Sequence, residues 1–80
     1  MSTSAPLHIG LIIKHLREEL ALSQEALADR ANLNRSYVGE VERGTATPSL
    51  NTVIKLAGAL NLSTSDLLAR FEAYEKNAVI

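Results

Sequence analysis

The side chains best suited to directed polar contacts fall together in residues 33 to 44, LNRSYVGEVERG. Arg35 brings a forked guanidinium that can donate two parallel bonds, Ser36 a hydroxyl, and Glu40 a carboxylate that accepts. The segment reads as a short helix ending at Gly44, yet it is too polar for a core helix. Such a set recognises rather than catalyses. The chain offers no nucleophile–base pair, carboxylate dyad or phosphate-cradling glycine loop, and His15 with Glu18 or Glu19 reads as ordinary surface, so no enzymatic activity is expected. His8 and His15 stand seven apart, too far for one metal ion, and cysteine is absent. Neither a metal nor another cofactor is therefore expected.

The elements that must position these groups can be read from periodicity. The 80 residues suffice for one small domain. Residues 1–6, ending at Pro6, read as a disordered arm, residues 7–74 as the folded domain and residues 75–80 as a C-terminal tail. Ile9, Ile12, Ile13, Leu16 and Leu20 recur at helical spacing and place the first helix over roughly 7 to 21. Ser23 is an N-cap for a second, short helix with Ala26, Leu27 and Ala31 inward, which stops near Asn32. Asn34 caps a third helix from Arg35 to about Arg43. Pro48 and Ser49 introduce a fourth, with Leu50, Val53, Ile54, Ala57 and Leu60 at helical spacing and Asn61 closing it. Ser63 and Asp66 form a capping-box variant for a fifth, with Leu67, Leu68, Phe71 and Tyr74. No stretch alternates as a strand does, so the fold class is all-α with five helices.

Two short helices joined by three or four residues suggest a helix-turn-helix, and the spacing sharpens that reading. With Gln24 as the first position, the fifth must be small where the helices cross, and Ala28 stands there. The ninth must permit a tight turn, which is Asn32; the tenth, fifteenth and eighteenth must be apolar, and they are Leu33, Val38 and Val41. Through LSQEALADRANLNRSYVGEVERGTATPSLNTVIKLAGAL the chain resembles the phage repressor and Cro class of helix-turn-helix domains, the xenobiotic-response-element type, over roughly residues 9 to 70. Two departures stand out: Asn32 where glycine is commoner, and Gly39 inside the third helix, where glycine costs about 1 kcal/mol against alanine.

The resemblance implies a lambda-repressor-like domain whose third helix lies in the DNA major groove. Base edges there differ in donors, acceptors and the thymine methyl. Arg35 suits guanine, Ser36 almost any edge and Glu40 the cytosine amine, with Gly39 leaving room between them or merely tolerated. Gln24, Arg43, Thr45, Thr47 and Asn51 are candidates for holding the DNA backbone; for Thr47 and Asn51 simple capping is an equal reading. Tyr37 has three readings: a phosphate contact, a contact near the partner half-site, or a cover over the second helix. The resemblance also implies a partly buried ion pair between Arg17 and Glu42, which would neutralise Glu42 before DNA meets it.

One copy would read few base pairs, so the expected partners are double-stranded DNA and a second copy on a palindromic operator. Leu68, Tyr74, Val79 and Ile80 are the candidate dimer contacts. The expectation is a transcription regulator without a small-molecule site, whose NRSYVGEVERG segment also looks like the controller proteins of restriction–modification systems. The competing reading is an antitoxin or other protein-binding module that uses DNA only for autoregulation; the ten or so residues after the fifth helix argue against it. Net charge is −1, from 8 Lys plus Arg against 9 Asp plus Glu, so DNA binding depends on where the charges sit. No membrane span or signal peptide is legible, and a cytoplasmic location is expected.

Overall fold

The computed structural model describes residues 5–79. It contains α1 (Ala5–Glu19), α2 (Gln24–Ala31), α3 (Arg35–Arg43), α4 (Leu50–Ala59) and α5 (Thr64–Val79), and among the described residues there is no strand. The boundaries differ from the sequence reading at both ends of α1, which stops at Glu19 rather than 21, and at the end of α5. Helix α1 begins at Ala5 rather than 7, with Pro6 in its first turn, where a missing N–H forfeits no intrahelical bond. The rest of the predicted arm lies outside the described residues. Helix α5 runs to Val79, through most of the segment read as a tail. Its far half is tied to the start of α1: Glu75 pairs with His8, and the His8 and Tyr74 rings meet at 4.9 Å, tilted by 59°.

The short links between helices reuse one device. After α1, α2, α3 and α4 the chain turns through a left-handed residue, respectively Ala21, Asn32, Gly44 and Asn61. The next N–H then reaches back to a carbonyl of the finished helix: Leu22 to Arg17 at 3.0 Å, Leu33 to Ala28 at 2.8 Å, Thr45 to Glu40 at 3.0 Å and Leu62 to Ala57 at 2.9 Å. These bonds satisfy carbonyls that a helix end leaves orphaned. A polar cap restarts the chain at once. Ser23 accepts from the Ala26 N–H, Asn34 from those of Ser36 and Tyr37, Ser49 from Thr52 and Ser63 from Asp66.

The core is a single cluster centred on Ile13, Leu27, Val38, Val41, Leu56 and Leu67, all fully buried. It draws on all five helices, which is how a chain this short removes enough apolar surface from water. Three residues placed on apolar faces by periodicity point outward instead: Leu20, Leu50 and Ile54 are exposed. Leu20 lies in the turn beyond the last residue of α1. On α4 the inward stripe is Val53, Leu56, Ala57 and Leu60, which leaves Leu50 and Ile54 to the far side. Of the two α5 residues expected in the core, Leu67 is fully buried and Phe71 is half-buried against it.

Helix α1 crosses the end of α3 at backbone distance. A Cβ at Gly10 would overlap the Val41 carbonyl and lie 2.7 Å from that of Glu42. Glycine here serves close approach rather than a special backbone angle. The crossing fixes the height at which α1 meets the last turn of α3.

Candidate nucleic-acid interface

Just beyond that crossing, Arg17 of α1 meets Glu42 of α3. Arg17 Nε donates to Glu42 Oε2 at 2.6 Å and Nη2 to Oε1 at 3.0 Å, while Nη1 donates to the Leu22 carbonyl at 2.8 Å. Both residues are buried, Arg17 at 9% exposure and Glu42 at 4%. The hydrogen bonds that Arg17 donates to Glu42, helped by the carboxylate's charge, hold the guanidinium above its ordinary value against the opposing effect of burial. Gln24 Nε2 donates to Glu42 Oε1 at 3.0 Å, so this carboxylate accepts from α1 and from the start of α2 together. The ion pair implied by the resemblance is therefore present, with Gln24 as a third member that sequence reading did not foresee. Glu42 brings its negative charge to the interior, compensated, and α3 is oriented against α1 and α2 at once.

With its inner side seated by Val38, Val41 and Glu42, α3 turns Arg35, Ser36, Glu40 and Arg43 to solvent. Together with Gln24 and Gly39 these four line one polar groove. Among the described residues no side chain pairs with Arg35 or Arg43, so both cations are free for an external partner. The groove thus combines forked donors, a hydroxyl and an acceptor on a helix narrow enough for a major groove.

The candidates for holding a backbone separate. Gln24 and Arg43 line a neighbouring groove with Thr45, and Lys14 of α1 joins them there. Lys14 was missed in the sequence because α1 reads as a core helix; nothing local says that its polar side adjoins the end of α3. The Thr45 hydroxyl donates to the Glu40 carbonyl at 3.2 Å, which makes it part of the α3 C-terminal cap. Thr47 is exposed but adjoins Pro6, Ile9 and Phe71 in a different groove. Asn51 is exposed in the first turn of α4, whose cap is Ser49. Tyr37 is half-buried and packs against the core.

Among the proposed dimer contacts, Leu68 is 41% exposed, and Tyr74 is exposed while stacking on His8 of its own chain. The Val79 side chain and all of Ile80 lie outside the described residues. Among the described residues no group of side chains could hold a metal ion, and no helix is long and apolar enough to cross a membrane.

Five helices with a capped, left-handed turn between α2 and α3 and a polar α3 groove define a helix-turn-helix domain. The chain belongs to the helix-turn-helix family, whose profile matches residues 13–67. It is similar to the immunity repressor protein of Bacillus phage phi105, with 43% identity over 60 residues, 75% of this chain. The match spans 42% of that repressor's length. Among solved structures, the restriction-modification controller protein C.AhdI of Aeromonas hydrophila aligns with a TM-score of 0.75 at 44% identity, over 78% of this chain and 94% of that one. The controller protein C.Esp1396I, solved as a tetramer on its natural 35 base-pair operator, aligns with a TM-score of 0.81 over 88% of this chain and 92% of that one. At 23% identity that likeness concerns the fold.

Proposed function

We propose that this chain is a sequence-specific, double-stranded DNA-binding transcription regulator that acts as a homodimer on a palindromic operator. The observation that carries the proposal is the α3 groove: Arg35, Ser36, Glu40 and Arg43 face solvent, while the one acidic residue buried beneath them, Glu42, is neutralised by Arg17. The groove suits base edges, and the overall charge of −1 does not oppose it because the charge on this side is locally positive. Arg35, Ser36 and Glu40 read bases; Gln24, Thr45 and Asn51 adjoin the phosphates, and Lys14 lies beside Gln24 and Thr45. This is a binding role and not an enzymatic one, exercised in the cytoplasm where the DNA is.

Among regulators, the small controller type is the best supported. The likeness to C.AhdI covers 94% of that protein, whereas the phage repressor is matched over less than half its length. The second copy packs on Leu50 and Ile54 of α4, 66% and 49% exposed and one helical turn apart, with Leu68 of α5 added to them. That assigns the dimer to α4 more than to the end of α5, because Tyr74 already has an intramolecular partner in His8.

The test is selection from a random duplex pool at physiological salt. The expected product is a palindrome with half-site centres about 34 Å apart and guanine in each half. Enrichment of no sequence would overturn the reading and turn attention to a protein partner for α3.

A further inference from the structure

Gly39 lies buried at the floor of the α3 groove, in the middle of a nine-residue helix. Glycine is a poor residue for that place. Backbone geometry does not demand it, since among the described residues Gly44 is the glycine with positive φ. The surroundings supply the reason. The position a Cβ would take is 3.1 Å from Arg43 Nη1, 3.9 Å from Arg43 Cζ and 3.6 Å from Gln24 Oε1. The guanidinium of Arg43 rests so close over residue 39 that a Cβ there would push it aside by a few tenths of an ångström.

We infer that Gly39 is a seat for Arg43, and that Arg43 is a base-reading, specificity-determining residue rather than a backbone contact. The inference deepens the DNA-reading proposal and rests on it. Helical side chains lean toward the N-terminus, so an arginine in the last turn runs back along its own helix. Residues eight apart are rotated by about 80° around a helix, so a straight Arg43 would leave the face that carries Arg35. Folded over Gly39, one turn back, its head returns to the groove shared with Arg35 and Glu40. Among the described residues nothing ties it down: Arg43 makes no ion pair, and the adjacent Glu42 is taken by Arg17 and Gln24. Gln24 uses its amide N–H on Glu42, which leaves its carbonyl oxygen facing the same space as an acceptor. A free guanidinium fork matches guanine O6 and N7. Its reach along α3 from Arg35 corresponds to a second guanine about three base pairs away.

The test compares wild type, Arg43→Lys and Gly39→Ala. Each is put through selection from the random duplex pool, then titrated against the wild-type site and its single-base changes over a range of salt. Lysine keeps the charge but lacks the planar fork. Arg43→Lys is expected to lose discrimination at one guanine by about tenfold while the salt slope stays unchanged. Gly39→Ala is expected to melt at a higher temperature and to lose the same guanine, because its methyl displaces the guanidinium. Loss at one shared base pair by two different substitutions would establish the seat. A wild type that selects a defined site, with Arg43→Lys retaining every base preference, would make Arg43 a phosphate contact and overturn the inference while the DNA-reading proposal stood. Gly39→Ala with an unaltered site would likewise remove the seat. A wild type that selects nothing would bring down proposal and inference together.

Discussion

Helices α3 and α4 are nearly equal in length, nine and ten residues, and both start from a short polar cap, Asn34 and Ser49. Their outward faces are opposites. Helix α3 shows water Arg35, Ser36, Glu40 and Arg43, whereas α4 shows it Leu50 and Ile54. A scattered exposed leucine means little. Two large apolar residues one turn apart on the same helix form a patch, and Leu68 on the next helix is exposed as well. The contrast teaches that burial settles only half of each helix. On the proposed function the other half is matched to its partner: directed polar groups where hydrogen-bonding edges must be told apart, and apolar area where surface has only to be covered.

Two substitutions would break or sharpen that contrast, the larger first. Glu42→Ala removes the anchor that sets the α3 face against α1, and it strands Arg17 as an uncompensated buried cation. A loss of about 4 kcal/mol in urea unfolding is expected. Because the folded-state value of Arg17 is raised, its contribution holds below the unfolded value and fades only as pH climbs past the folded one. Alkaline buffers short of that extreme should therefore not mimic the substitution, and a wild type that loses the same stability at pH 10 would show the pair to be differently held. Ile54→Asp leaves the core alone but charges the apolar face of α4. Dimer affinity should weaken by about 2 kcal/mol, read by sedimentation, with monomer melting nearly unchanged. An unaltered monomer–dimer equilibrium would remove α4 from the interface and return it to the end of α5.

How far the sequence foretells all this depends on the range of the forces involved. The α2–α3 unit was legible because its demands are local. Asn32 must turn left-handed, Asn34 and Ser23 must cap, and Ala28, Val38 and Val41 must fit a crossing; all are placed as expected. The polar groove followed, since Arg35, Ser36 and Glu40 are what remains once the inward residues are assigned. Helix α4 misled because its apolar residues spread over more than one face, and periodicity cannot say which face the neighbours cover. Gly10 passed unnoticed, as its reason lies in the carbonyls of Val41 and Glu42, more than thirty positions away. Gln24 looked like a free amide until α3 placed Glu42 beside it. Ala21 adopts a left-handed conformation that alanine rarely takes, held by the Leu22 N–H on the Arg17 carbonyl and by the Arg17 side chain on the Leu22 carbonyl.

The division between a polar reading face and an apolar pairing face is tested most directly by amide NMR on labelled protein. One series adds the selected duplex and a second dilutes the free protein. The account predicts that duplex moves the amides of α3 from Arg35 to Arg43, together with Gln24 and Lys14, and that dilution moves those around Leu50 and Ile54. Duplex shifts confined to α4, with α3 unmoved, would contradict it.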